Sequence, residues 1–93
     1  MKNVIIRTEK AGVFFGNIKE RNGREGTIPN CRRLWYWSGA ASLSQLAVEG
    51  TSRPKDCKFT MVVEEMIVLG IIEIIPCTQK AVESINSVAI WKA

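Results

Sequence analysis

The residues best suited to contact a ligand lie in one short block, Arg32–Trp37, which combines two arginines with three aromatic rings. On a strand, one face of this block carries Arg33, Trp35 and Trp37, and the other carries Arg32, Leu34 and Tyr36. Aromatic rings stack on purine bases and a guanidinium pairs with phosphate, so the block predicts a nucleotide site. In the alternative interpretation, the two tryptophans belong to the core or a subunit interface and Arg33 pairs with a carboxylate.

The opposite face of the block has the same two interpretations. Here we expect Leu34 to point inward, with Arg32 and Tyr36 at the rim of the site. Directly after the block, small residues lead from the strand into a helix: Ser38, Gly39, Ala40, Ala41 and Ser42. Free N–H groups at a helix start can bind an anion, which predicts a phosphate site beside the tryptophans. Serine and glycine also begin many helices that bind nothing.

Positive charge is concentrated in the first part of the chain. Residues 1–58 contain eleven Lys and Arg against five Asp and Glu, whereas residues 59–93 contain two against four. A cationic surface attracts phosphate-bearing partners, although it can also serve solubility alone. The predicted ligand-binding residues are Arg7, Arg24, Arg32, Arg33, Trp35, Tyr36, Trp37, Ser38, Gly39, Ala40 and Ser42.

The residue types argue against catalysis and against a metal or cofactor. Histidine is absent from the chain, which removes the commonest general base and metal ligand. Cys31, Cys57 and Cys77 have no zinc-site spacing and are expected to be reduced thiols packed as small hydrophobes. Glu64 and Glu65 would point to opposite faces of a strand, and we expect them in a solvated turn. The sequence therefore predicts a binding protein and not an enzyme.

The length and hydropathy of the chain predict one cytoplasmic domain, residues 1–93. The apolar fraction is 46%, yet the longest apolar run, residues 66–76, is interrupted by Gly70 and Glu73. That run is too short to span a membrane, and the first ten residues lack the pattern of a signal peptide. A core this small is often completed by oligomerisation, so a homo-oligomer is expected.

Hydrophobic patterning and turn residues predict an α+β fold, a small antiparallel β-sandwich or open barrel of about five strands with two short helices. Asn22-Gly23 marks a hairpin, with Gly26 extending the loop. The first helix covers about ten residues from Gly39 to Gly50, and the second starts at Thr78 as N-cap. Strands are expected at residues 3–8, 12–21, 27–38, 58–63 and 66–75, and the tail 89–91 is a candidate edge strand.

Three blocks of the sequence, CRRLWYWSGAASLSQLAVEG, SRPKDCKF and IEIIPCT, resemble a group of small phage and prophage proteins, and within it the Thoeris anti-defence protein 1 family. The likeness spans nearly the whole chain. It implies a phage or prophage protein in the host cytoplasm that sequesters a cyclic nucleotide immune signal without cleaving it. The implied ligands are glycocyclic ADP-ribose and, in some members, cyclic trinucleotides. The implied assembly is a dimer or hexamer with ligand pockets between subunits.

Two other functions stay open from the residues alone. The same basic and aromatic residues suit a small nucleic-acid-binding module, for which a polymer would be the partner. The chain could also be a structural or protein-inhibiting phage protein in which the tryptophans form an interface. The sequence does not identify the nucleotide, the symmetry of the oligomer or the arginines that contact phosphate.

Overall fold

The computed structural model describes residues 2–93. In these residues the chain forms six strands, two α-helices and one 3-10 turn at Pro54–Asp56. The helices are α1, Leu43–Glu49, and α2, Gln79–Ser87. The strands are β1, Val4–Thr8; β2, Val13–Gly16; β3, Glu20–Asn22; β4, Glu25–Tyr36; β5, Lys58–Val68; and β6, Ile71–Pro76.

All strand pairings of the sheet are antiparallel, and the long strand β4 organises them. One edge of β4 pairs with β5, and the other pairs with β3 near its start and with β2 near its end. The sheet continues from β2 to β1 and from β1 to β6. The N–H of Ile71 donates to the carbonyl of Arg24 at 2.8 Å, which brings the start of β6 to the β3–β4 turn. The sheet is therefore a curled half-barrel, and the predicted α+β open-barrel class is confirmed.

Both faces of the curled sheet are buried in its centre. Helices α1 and α2 pack Leu46 and Ile85 against one face, where they meet Ile5, Leu34 and Phe59. The other face closes on itself around a second apolar cluster, formed by Val4, Ile6, Phe14, Ile28, Cys31, Val68 and Ile71. Successive strand residues point to opposite faces. Consecutive apolar residues such as Val4, Ile5 and Ile6 are thus all buried.

Two expected strand boundaries are wrong. Residues 12–21 form two short strands, because the chain leaves the sheet at Asn17–Lys19 between β2 and β3. Glu64 and Glu65 lie inside β5 and not in a turn; the turn falls at Leu69–Gly70, where Gly70 has a φ of +73°. The middle of β5 is exposed on both faces, so glutamates are tolerated there without a turn.

Side-chain caps begin both helices. The Thr78 hydroxyl accepts from the N–H of Ala81 at 3.1 Å, as expected, and Ser42 accepts from the N–H of Gln45 at 3.2 Å. Helix α1 is shorter than predicted because Gly39 to Ala41 form a bend before the Ser42 cap. Among the described residues, neither helix is long and apolar enough to cross a membrane.

Candidate functional site

The Arg32–Trp37 block forms the end of β4, where its residues lie in different environments. Phe14 pairs with Arg33 and Phe15 with Arg32, so the two arginines point to opposite faces of the sheet, as predicted. Leu34 is buried, while Trp35 and Tyr36 are more than half exposed. Irregular pairing with β5 near Leu34 interrupts the alternation of the strand. Arg33, Trp35 and Trp37 nevertheless line one cavity of about 190 Å³, together with Leu34 and residues 11–13.

The guanidinium of Arg33 has no charged partner in the part of the chain that is described. Its Cζ lies 4.9 Å from the ring centroid of Phe14, in a cation–π contact. Its Nε is buried without a hydrogen-bond partner, and none of the ion pairs formed by residues 2–93 includes it. The alternative in which Arg33 pairs with a carboxylate of its own chain therefore does not hold within these residues. Arg33 is also one of the residues that line the cavity.

Trp35 stacks on a residue that the sequence did not assign to the site. Its ring lies 6.1 Å from that of Trp91, centroid to centroid, with 14° between the planes. The ammonium of Lys58 lies 5.5 Å from the Trp91 ring centroid. Trp91 is placed by the tail: its N–H donates to the carbonyl of Phe59 at 2.9 Å, and Ile90 bridges Phe59 in parallel. The predicted edge-strand docking of residues 89–91 is the signal that could have found it.

Arg32 is not at the rim of the site, because its side chain is buried under helix α2. The residue is 4% exposed, and its guanidinium donates to five main-chain carbonyls. Those carbonyls belong to Phe59, Thr60, Ile85, Val88 and Ala89. Burial lowers the pKa of Arg32 below its ordinary value, because the protein solvates the cation less well than water does. The described partners of Arg32 are therefore main-chain carbonyls of the fold, and within residues 2–93 Arg32 is not among those that line the cavity.

The Ser38–Ser42 turn uses several of its N–H groups within the chain. The N–H of Ser38 donates to Cys57 Sγ at 3.4 Å, and that of Ala41 donates to Gln45 Oε1 at 2.6 Å. Gly39, at a φ of +81°, accepts from the N–H of Ser52 at 3.2 Å. Ala40 packs against the helix-side core. The turn thus holds the loop after α1 in place, and its geometry adds little to an anion site.

Arg7 and Arg24 lie away from the block, and both have carboxylate partners. Arg7 pairs with Glu73 at 2.9 Å on β1 and β6, and Arg24 pairs with Glu9 at 2.8 Å. Arg24 also precedes the start of β4, whereas Trp35 lies at its end. The structure therefore does not bring these two predicted residues together with Arg33, Trp35 and Trp37.

The three cysteines are free and buried. Burial raises the pKa of Cys31 to about 11, although the nearby positive charge of Arg33 acts in the other direction. Burial likewise raises the pKa of Cys77 to about 11, opposed by a backbone hydrogen bond from Ile5. A thiol with a raised pKa stays protonated and poorly nucleophilic at neutral pH, which suits a packing role.

Comparison with known proteins gives a family but no activity. Residues 1–85 match the model of a family described as a domain of unknown function, DUF6948. The match includes the Arg32–Trp37 block and ends before the tail that carries Trp91. No curated protein and no solved structure matches the chain.

Proposed function

The chain belongs to the DUF6948 family, and we propose that it is a non-catalytic protein that binds and sequesters a cyclic nucleotide signal. The proposed ligands are glycocyclic ADP-ribose and cyclic trinucleotides, which combine nucleobases with phosphate groups. The proposed setting is the cytoplasm of a phage-infected host cell, where removal of the signal disables an antiphage defence. Sequestration requires affinity alone, with no nucleophile, general base or metal.

The observation that carries this proposal is the free guanidinium of Arg33. A buried nitrogen without a hydrogen-bond partner costs free energy, about 1–3 kcal/mol, that an incoming acceptor can recover. The cavity beside it is lined by Trp35 and Trp37. A phosphate oxygen is the acceptor that a guanidinium binds best, because the contact is charged and can be bidentate.

The exposed rings of the Trp35–Trp91 pair suit a nucleobase. Trp35 is 62% exposed and Trp91 is 44% exposed, so both present apolar surface to solvent. Stacking of one base on an aromatic side chain contributes about 1–3 kcal/mol and is open to any base. Lys58, whose ammonium lies 5.5 Å from the Trp91 ring centroid, adds a positive charge next to this ring pair. Base and phosphate would thus bind to neighbouring groups.

The size of the cavity supports a site shared between subunits. A cavity of about 190 Å³ is smaller than the roughly 300–1,000 Å³ of pockets that enclose a whole small-molecule ligand. A second copy of the chain would supply the missing wall. Met61, Val62 and Val63 on the free edge of β5 are exposed apolar residues that association would cover. We therefore propose a homo-oligomer, a dimer or a hexamer, as the binding form.

The test is a titration of purified protein with glycocyclic ADP-ribose and with a cyclic trinucleotide, monitored by calorimetry and native mass spectrometry. We expect Arg33→Ala to weaken binding by roughly 10- to 100-fold, the value of one charged hydrogen-bonded contact. Arg21→Ala is the matched control, because Arg21 is an exposed arginine whose Nε donates to the Gly23 carbonyl in the distant hairpin. Equal affinity of the Arg33→Ala and Arg21→Ala variants, or no binding by the unaltered protein, would overturn the proposal.

The open Trp35–Trp91 pair also favours a second candidate function, binding of single-stranded nucleic acid. An oligonucleotide of increasing length separates the two functions. Polymer binding would strengthen with length and weaken steeply with salt, because phosphate contacts release counterions. Sequestration of a small signal predicts indifference to strand length. A steep dependence on length, together with no affinity for either cyclic ligand, would favour the nucleic-acid module.

A further inference from the structure

We infer that Arg32 is a positioning residue that fixes Trp91 against Trp35 and thereby sets the base-stacking surface, an inference that rests on the proposed function. Arg32 joins three separate segments through main-chain carbonyls. On β5 its Nε donates to Thr60 at 2.7 Å. At the end of α2 it donates to Ile85 at 2.9 Å and to Val88 at 2.7 Å, and in the tail to Ala89 at 3.2 Å.

The position of Trp91 depends on few contacts besides these. Only Ile90 lies between Trp91 and Ala89, whose carbonyl accepts from Arg32. The Trp91 N–H donates to Phe59, and Ile90 forms a single bridge to the same residue. Arg32 Nη2 also lies 3.4 Å from that Phe59 carbonyl. Residues 89–91 are therefore held at both ends: Ala89 by the Arg32 guanidinium, and Trp91 by Phe59 on β5, which Arg32 also contacts.

The geometry requires arginine at this position. The planar guanidinium has five N–H donors in a fixed fork, which lets it contact β5, α2 and the tail at the same time. Its charge is compensated without a carboxylate, because carbonyls at the end of a helix carry partial negative charge. A lysine ammonium has three donors at a single point and cannot reach all three segments. Lysine at position 32 would keep the charge and release the tail.

A fixed Trp91 would raise affinity by preorganisation. If the tail moved freely in the unbound protein, binding would have to order it, and the lost conformational entropy would weaken the affinity. Because Arg32 holds the tail in the folded, unbound protein, the tail is already ordered before the ligand binds. Arg32 itself need not contact the ligand.

A measurement without ligand tests the positioning role directly. Two stacked indoles couple their electronic transitions, which gives a paired band in the ultraviolet circular dichroism spectrum. We expect Arg32→Lys to lose most of this band and the hydrogen-exchange protection of the Trp91 amide, while the amides of β1 and β6 stay protected. Arg33→Lys is the matched control and should keep the band; Trp91→Leu defines its complete loss. A full band in Arg32→Lys, or an equal loss of protection in β1 and β6, would overturn the inference.

A second measurement uses the unaltered protein and does not depend on a variant that folds. Nuclear magnetic resonance should show separate, slowly exchanging Nη–H signals for Arg32, with contacts to protons of residues 88–91. Rapid rotation of the Arg32 guanidinium, with a single averaged signal, would also contradict the inference.

A double-mutant cycle with glycocyclic ADP-ribose then links position 32 to the ligand. We expect Arg32→Lys and Trp91→Leu each to weaken binding by roughly tenfold. The double variant should bind about as weakly as Trp91→Leu alone, because both changes remove the same stacked ring. Independent, multiplying effects would show that Arg32 acts by another route. If the unaltered protein binds no cyclic nucleotide, the proposed function fails, whereas the spectroscopic and exchange results still decide whether Arg32 positions Trp91.

Discussion

Arg32 and Arg33 are neighbours in the sequence and carry the same charge, yet their guanidinium groups have opposite surroundings. Arg32 donates to five carbonyls under α2, whereas Arg33 lies on the Phe14 ring with a buried Nε that has no acceptor in residues 2–93. A strand alternates its side chains between two faces, and only one face of β4 is covered by the helices at this point. One arginine therefore stabilises the fold, and the other is free to bind.

This difference predicts unequal effects on stability at the two positions. Arg32→Met leaves five carbonyls under α2 without their hydrogen-bond donor. We therefore expect a loss of about 2–4 kcal/mol in the free energy of unfolding. Arg33→Met removes a cation–π contact and leaves no acceptor stranded, so we expect a loss below about 1 kcal/mol. Urea denaturation of the two variants measures both quantities. Equal losses would contradict the assigned contacts.

The buried thiols predict how stability depends on alkaline pH. Burial raises the folded-state pKa of Cys31 and of Cys77 to about 11, above the ordinary value of 9.0. A raised pKa means that the folded state favours the protonated thiol. The stability that each thiol contributes is therefore complete below pH 9 and is lost as the pH rises towards 11. Two pKa units correspond to about 2–3 kcal/mol per thiol, as an order of magnitude.

Urea midpoints measured between pH 7 and pH 11 test this dependence. The double variant Cys31→Ala and Cys77→Ala is the reference, since it lacks both thiols and is otherwise the same chain. We expect a steeper fall in stability for the unaltered chain above pH 9. Parallel curves for the two proteins would show that the thiols do not contribute.

Among the elements, those marked by local chemistry could be predicted from the sequence. Helix α2 starts at the Thr78 cap and buries Ala81 and Ile85, and the C-cap residue Val88 is buried too, as their spacing indicated. The course of β5 through Glu64–Glu65 could not be predicted, because its exposure comes from the free edge of the sheet. Gly26 was assigned to a loop but is buried in β4, where a Cβ would come within 2.9 Å of Ile71 Cδ1. Only the curl of the sheet brings Ile71 there.

For the candidate site, alternation along β4 predicted which side chains share a face, and Arg33, Trp35 and Trp37 do line one cavity. The burial of Arg32 was missed, since no local pattern shows that the end of a helix fifty residues later will accept its hydrogen bonds. Trp91 was missed for the same reason. Contacts between distant segments place both residues. The expected docking of residues 89–91 as an edge strand indicated the tail, but it did not indicate that the Trp91 ring stacks on Trp35.

Gly50 is the C-cap of α1 and lies directly against Ser84 on α2, so it provides a test of helix packing. Gly50 has a φ of +78°, and a Cβ at this position would overlap the side chain of Ser84 on α2. We expect Gly50→Ala to lower the free energy of unfolding by more than about 3 kcal/mol, from backbone strain and overpacking together. Gly23→Ala is the control, with a φ of +62° but open space, and should lose about 1 kcal/mol.

Thermal and urea denaturation of the two glycine variants measure the difference. Adding Ser84→Gly to Gly50→Ala removes the overlap and should recover part of the loss. Equal destabilisation at positions 50 and 23 would mean that helix packing contributes nothing beyond the backbone conformation.

For the whole molecule, the proposed oligomer makes a prediction at the free edge of β5. Val62 on β5 and Val48 on α1 are equally exposed, at 54% and 55%. A lysine on an edge strand blocks association because its charge would have to be desolvated. We expect Val62→Lys to shift the sedimentation of the protein towards the monomer, whereas Val48→Lys leaves it unchanged. A monomeric unaltered protein, or the same effect from both lysines, would contradict association through β5.

The place of β1 in the sheet governs how the chain can fold. β1 pairs with β2, which follows it almost at once, and with β6, which begins only at Ile71. The hydrogen bonds between β1 and β6 form only after the chain between these two strands closes as one long loop. Such non-local pairing makes folding slow, on the order of milliseconds to seconds. During synthesis, one edge of β1 therefore stays unpaired until most of the chain has left the ribosome. Segments that emerge earlier, such as the β3–β4 hairpin, can form first and provide the surface on which β1 and β6 finally close.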